Sequence, residues 1–370
     1  MFGALFAAAV ALSATCDLEH PSGKPGCTRA QVNALPMNAI QVIGTHNSYK
    51  EAIAPNEMAA LRKINPKAAD SLDYSHVKLT RQLNDGARQL ELDYVYDPKG
   101  GRYSTPLGRK MTPDTTPYDL APMAKPGLKV IHVPDIDYRS VCPLFVDCLK
   151  EIRAWSKAHP DHVPILIIMN LKQDNLKIPG AMPLLPFDAA AMDTIDAEIR
   201  SVFPENELIT PDKVRGKHKT LMEAVTSGGW PRLKAARGKF LFAIDEGPKV
   251  IEAYARGHSS LEGLVCFVNS DREDAPWAAY LTLNEPLELQ QRISNDVRLG
   301  YIVRTRADAD TVEARTGDRT RQAAAFASGA QYVSTDYMQP DPRLGPYEAH
   351  LPTHGLARPN PQNAPKSPAR

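Results

Sequence analysis

Short apolar runs that stop abruptly at polar residues recur along this chain, and they restrict its fold more than any other feature. They are Ala39–Ile43, Arg88–Val95, Leu128–His132, Pro164–Met169, Phe240–Ile244, Gly263–Val268, Tyr301–Val303 and Ala330–Ser334. Helical patterning separates many of them, as in Pro55–Ile64, Tyr74–Asn84, Pro143–His159 and Arg319–Ser328. Continuous apolar runs of this length suit parallel strands covered on both faces. Strands alternating with helices in this way predict an α/β chain built as a single-domain (β/α)8 barrel of the TIM type. The reacting groups of such a barrel come from the C-terminal tips of its strands. The connection from Asn175 to Lys239 is expected to be a long insertion between the fourth and fifth strands. The barrel is placed at residues 31–340, followed by a Pro-rich surface tail, 341–370, whose last dozen residues are expected to be disordered.

A hydrophobic share of 43% over 370 residues is ample for a core of this size. The formal charge of +1 argues against a nucleic-acid partner, which normally demands a basic excess. Residues 1–15 form an apolar stretch ending in small residues. It is too short to span a bilayer and has the form of a signal segment cut near Ala14, so a secreted or periplasmic protein is expected. Cysteine usage fits export. Cys142 and Cys148 enclose five residues, Cys16 and Cys27 enclose a Gly- and Pro-containing loop, and both pairs suit local disulfides. Cys266 lies in an apolar run and is expected as a buried free thiol.

The strand tips carry the chemistry. The first run ends in His46-Asn47, the third in His132 and the fourth in Asn170, with Lys172 close behind. Glu91 and Asp93 share one face of the second run, about 7 Å apart by strand geometry. In a closed barrel that face points inward, where two carboxylates need a cation or a partner. Asn47, Glu91 and Asp93 make an oxygen set for a hard divalent ion, best suited to Ca2+. Two imidazoles and flanking Lys172 and Arg304 around such an ion point to cleavage of a phosphate ester.

Six stretches carry a family resemblance. They are GTHNSY at 44–49, QLNDGARQLELD at 82–93, VIHVPDID at 130–137, CLKEIRAWSKAHPDHVPI at 148–165, VRTRADADTVEAR at 303–315 and SGAQYVSTDY at 328–337. With them the chain resembles the bacterial calcium-dependent phosphoinositide-specific phospholipases C. The resemblance implies His46 and His132 as the catalytic pair and Asn47, Glu91 and Asp93 as Ca2+ ligands. The fourth ligand position is usually Glu in that family and reads Asn170 here, with one negative charge fewer. The implied reaction is attack of the inositol 2-hydroxyl on its own phosphate, releasing diacylglycerol and leaving a cyclic inositol phosphate. In it His46 stabilises phosphorane charge, His132 protonates the leaving oxygen, and Glu91 is the candidate proton acceptor. Lys172, Arg304 and Tyr337 are the expected substrate contacts, although Lys172 and Arg304 equally suit interior salt bridges. The implied partner is a phosphoinositide or related phospholipid at a membrane surface, and no protein partner is implied.

Two rival readings remain at this point. A glycerophosphodiester phosphodiesterase or a sphingomyelinase-D-like enzyme also places paired histidines and a carboxylate metal site on a barrel. An exported barrel that only binds lipid or sugar is the non-catalytic alternative.

Overall fold

A computed structural model describes residues 12–353 and 355–365. The expected signal segment therefore lies largely outside the described residues. Among the described residues, the barrel strands are β1 (Ile40–Thr45), β2 (Gln89–Glu91), β3 (Ile165–Met169) and β4 (Phe240–Ile244). They continue with β5 (Phe267–Val268), β6 (Tyr280–Thr282), β7 (Ile302–Arg306) and β8 (Tyr332–Thr335). β2 to β5 form one parallel sheet in chain order. β6, β7, β8 and β1 form the other, also parallel. Backbone hydrogen bonds join the sheets at both seams. The Arg88 N–H donates to Ile43 O at 2.9 Å, and the Ser270 N–H donates to Tyr280 O at 3.1 Å. The order of strands is that of a (β/α)8 barrel.

Residue chemistry explains the seams. A Cβ on Gly44 would sit 2.5 Å from Gln89, so only glycine lets β1 approach β2 this closely. Every residue of β3 and β4 is buried, as expected of strands packed on both faces. A large buried cluster runs through the strands and covering helices, including Phe145–Ala158, Ala189–Val202 and Pro286–Leu299.

The structure differs from the sequence expectation at one strand. Leu128–His132 is not in the barrel wall. Only Lys129–Val130 is extended, and it pairs antiparallel with Tyr94–Val95 outside the ring, so β2 bonds directly to β3. The buried Lys129 ammonium is held there by Asp97 at 3.4 Å, and Ile131 packs into a separate cluster with Val95, Tyr103, Met123 and Tyr138. The missing wall strand is β6, which is only three residues long. The insertion therefore lies between the third and fourth strands of the ring. The helix expected over Tyr74–Asn84 begins only at Leu79, because His76 is pulled out by its N–H bond to Lys50 O at 2.8 Å.

Both expected disulfides are present, Cys16–Cys27 and Cys142–Cys148, and Cys266 is buried and free. Residues 341–365 do not trail away. Tyr347 is buried, Arg358–Pro359 pairs antiparallel with Ile40–Gln41, and the Asn360 N–H donates to Ala39 O at 3.0 Å. Among the described residues no helix is long and apolar enough to cross a membrane.

Candidate active site

His46 and Asn47 follow the tip of β1 directly. Asn47 takes the left-handed conformation, φ 46°, which its short polar side chain tolerates. That turn directs His46 onto Asp336 at the tip of β8. His46 Nδ1 donates to Asp336 Oδ1 at 2.8 Å, which leaves Nε2 facing Glu91 Oε1 at 3.8 Å, beyond hydrogen-bond reach. Arg306 holds the other Asp336 oxygen at 3.1 Å. Burial, reinforced by the positive charges of Arg306 and Arg304, holds the His46 imidazole well below its ordinary pKa. This environment favours the neutral ring.

His132 reaches the site from the loop after Val130. Its Nδ1 donates to Asp137 Oδ2 at 2.9 Å. The two histidines are thus built alike, each with one nitrogen on a buried carboxylate and the other, among the described residues, with no hydrogen bond.

Glu91 and Asp93 both lie inside, buried, as the alternation of the second run predicted. Each has a cation. Arg304 Nη2 donates to Glu91 Oε2 at 2.5 Å, and Lys172 Nζ lies 2.8 Å from Asp93 Oδ2. Burial raises the Glu91 pKa to about 7, with Arg304 opposing and Asp93 adding to the rise. Burial works to lower the Lys172 amine, but Asp93, Glu91 and Glu246 leave it above its ordinary value.

The expected residues do not all converge. His132, Asn170 and Lys172 line a cleft of about 370 Å3, with Glu246 beside them and Leu176, Met182 and Leu184 as its apolar wall. Arg304 does not reach it. Its three nitrogens are bonded to Ser334, Asn284 and Glu91, and it is buried, so it acts as an interior charge partner. Tyr337 is also buried, edge-on to Tyr347 at 5.9 Å, and offers no face to a sugar ring. Sequence reasoning gave no role to Asp137, Tyr74 or Lys50. Asp137 stood in the VPDID loop five residues after His132, which was the available signal. Nothing in the sequence marked Tyr74, whose hydroxyl meets His46 Nδ1 at 3.3 Å and accepts from Asn47 Nδ2 at 2.7 Å. His76 is structural, and its ring bonds the His46 carbonyl oxygen at 2.8 Å.

The donor set fits a hard cation. Among the described residues Asp93 Oδ1 is buried with no hydrogen-bond partner. Glu91 Oε1 makes no bond to the nearby His46, and Asn47 Oδ1 receives only a long 3.4 Å bond from Tyr49. Among the described residues no three His, Cys, Asp or Glu side chains form a metal-holding group, and the further oxygens at hand are the amides of Asn47 and Asn170. Asn170 commits its amide nitrogen to the Asp245 carbonyl, so its oxygen is the atom it could offer to a cation.

Comparison with known proteins gives the family and the fold. The sequence matches a family described as phosphoinositide phospholipase C, Ca2+-dependent, over residues 35–361. Its fold is similar to a calcium-dependent phosphoinositol-specific phospholipase C from Pseudomonas sp., apo form, myoinositol complex. That match has a TM-score of 0.54 and 15% identity, covering 88% of this chain and 96% of that one. It is also similar to a Ca2+-dependent phosphatidylinositol-specific phospholipase C from Streptomyces antibioticus, with a TM-score of 0.50 and 21% identity, covering 82% and 95%. No curated protein matches the sequence.

Proposed function

Because the chain belongs to the Ca2+-dependent phosphoinositide phospholipase C family, we propose that it cleaves phosphatidylinositol to diacylglycerol and an inositol phosphate through His46 and His132. The observation that carries this reading is the pair of His–carboxylate dyads, His46–Asp336 and His132–Asp137, at the tip end of the barrel. In-line displacement at phosphorus needs a proton taken from the nucleophile and a proton given to the leaving oxygen. His46, neutral and with Nε2 free, takes the proton of the 2-hydroxyl. Glu91, the acceptor expected from sequence, is bound by Arg304 and acts instead as a ligand. His132 lines the cleft and gives its proton to the departing glycerol oxygen. Arg306 and Lys172 place positive charge beside the phosphate. The attacking hydroxyl belongs to the substrate itself, so the site gains from proximity.

Asn47, Glu91, Asp93 and Asn170 would hold Ca2+, which when bound supplies charge stabilisation for the phosphate and the attacking oxygen. The lipid presents its headgroup from a membrane. Leu176, Met182 and Leu184 line the cleft, and the neighbouring Met111 and Ile178 are 60% and 38% exposed, giving an apolar rim beside the entrance. The disulfides support an exported protein. The test is turnover of phosphatidylinositol, glycerophosphocholine and sphingomyelin vesicles or solutions, each with Ca2+ and with EGTA. The expected result is turnover of phosphatidylinositol alone, lost in EGTA. Turnover of glycerophosphocholine or sphingomyelin instead would transfer the protein to the rival phosphodiesterase reading.

A further inference from the structure

Lys50 is a fully buried ammonium in a region that already has its backbone bonds. Its Nζ lies 3.2 Å from Asp137 Oδ2 and donates to Tyr74 O at 2.9 Å. The same Asp137 oxygen accepts from His132 Nδ1. A buried ion pair is weak evidence of stability, since desolvation offsets much of its attraction. Nor is this pair needed to hold the loop. Val141 N–H donates to Tyr49 O at 2.8 Å and Glu51 N–H to Arg139 O at 3.1 Å, so the loop is laced to the strand-one segment without it. The Asp137 backbone is fixed as well, by exchange of both hydrogen bonds with Val133. What remains free is rotation of the carboxylate. Among the described residues its Oδ1 is buried with no hydrogen-bond partner, so only Lys50 and His132 set the plane of the group.

We infer that Lys50 is a positioning residue for the proton donor of the reaction: its ammonium fixes the Asp137 carboxylate, and through it the His132 ring. The inference rests on the proton-donor role proposed above for His132. Burial acts to raise the Asp137 pKa, and the Lys50 charge with the His132 bond outweighs it, so the group stays an anion and an acceptor. His132 then presents Nε2, and no other edge, to the leaving oxygen. The second dyad also carries a cation, although Arg306 takes the Asp336 oxygen that His46 does not use. Lys50 also reaches the other half of the site. It lies 4.8 Å from the centroid of the Tyr74 ring, whose hydroxyl contacts His46 and Asn47.

A proton donor matters only when the leaving group needs a proton. An alkoxide does, whereas p-nitrophenolate is stable as the anion near neutrality. The experiment therefore compares an alkyl ester and a p-nitrophenyl ester of inositol 1-phosphate, with the intact protein and Ca2+. His132→Ala should lose activity on the alkyl ester and keep most of it on the p-nitrophenyl ester. Lys50→Met should show the same selectivity, losing on the order of 10–100-fold on the alkyl ester and less than about threefold on the other. Lys50→Arg, which keeps the charge, should recover part of the loss. Equal losses of Lys50→Met on both esters would mark a purely structural lysine and overturn the inference. If Lys50→Met alone does not fold, the charge-balanced pair Lys50→Met with Asp137→Asn is compared with Asp137→Asn. Matching rates support action through Asp137, and a further drop overturns it. Selective loss in His132→Ala without it in Lys50→Met sinks this inference alone. Equal loss on both esters in His132→Ala sinks the proton-donor assignment and this inference with it.

Discussion

His46 can accept a proton only while its ring is neutral. Burial holds its pKa well below the ordinary value, and Arg306 is the next cause in size. Turnover that depends on neutral His46 should therefore persist as pH falls below the ordinary imidazole range of about 6.5. A bound Ca2+ adds positive charge and acts in the same direction. Arg306→Gln removes one cation, and that change raises the His46 pKa. The acid limb of kcat/KM should then move to higher pH, while His46→Ala should cut kcat by about 10²–10⁴-fold at every pH. A limb that stays put in Arg306→Gln would remove His46 from the role of acceptor. Metal affinity is the second property set by single residues. Glu91 and Asp93 are each matched by a cation, and Asn170 contributes no charge. Calcium sites are tuned by ligand charge. Free-state Ca2+ binding should be weak, and stronger with inositol phosphate present. Asn170→Glu should tighten binding in the absence of that ligand. Calorimetric titration of Ca2+ into both proteins checks this, and equal affinities would take position 170 out of the ligand set.

Elements were legible where burial and chemistry pointed the same way. ILIIM and FLFAI could only be buried strands, and Pro55–Ile64 is a helix within the bounds its Pro and its apolar spacing set. LKVIH had the same outward form, an apolar run closed by His, yet it lies outside the ring. Its pairing with Tyr94–Val95 depends on Lys129 finding Asp97, a contact of sequence-distant residues that no local pattern announces. β6 failed the opposite way, because three residues carry no period. The site shows the same division. His46, Glu91 and Asp93 stood at or just past the ends of wall strands, where the pattern directs attention, and His132 closed a run that proved to lie outside the ring, whereas Tyr74 and Lys50 take their places from packing alone. Disorder was expected for the last dozen residues, yet residues 359–365 are packed against the barrel. Their order comes from Asn360, whose Nδ2 donates to Ile40 O at 3.1 Å and Gly329 O at 2.6 Å while buried. Asn360→Ala would strand two buried carbonyls, at a cost of about 1–3 kcal/mol. Thermal unfolding should move down by a few degrees with kcat unchanged, since this contact is at the opposite end of β1 from His46. Unaltered thermal stability would show that the segment is held by something other than this side chain.

At the scale of the whole molecule, the question is how the barrel mouth meets a lipid that remains in its membrane. Asp135 ties three pieces of the rim together. It sits in the left-handed region, φ 73°, and its carboxylate accepts from the Leu107 N–H at 2.8 Å and the Met182 N–H at 2.5 Å. The helix Leu107–Met111, the loop bearing His132 and the loop through Ile178 are therefore tied into one lip. Met111 and Ile178 stand exposed on that lip, and Lys110 and Lys177 are exposed next to them. Apolar tips flanked by lysines suit the headgroup boundary of an anionic bilayer. Burying a Met or Ile side chain fully is worth about 1.5–3 kcal/mol, and partial insertion of two should contribute on the order of tenfold in binding. Met111→Ser with Ile178→Ser should therefore lower turnover of phosphatidylinositol in vesicles by about tenfold. The same protein should keep its rate on a soluble inositol phosphodiester that needs no surface. Lys110→Gln with Lys177→Gln should weaken vesicle turnover at low salt and matter less at high salt, because the lysine contribution is screened. A drop of equal size on vesicles and on the soluble ester would mean that the lip supports the cleft rather than the membrane contact. Unchanged turnover of vesicles would place the lipid-facing surface elsewhere on the molecule.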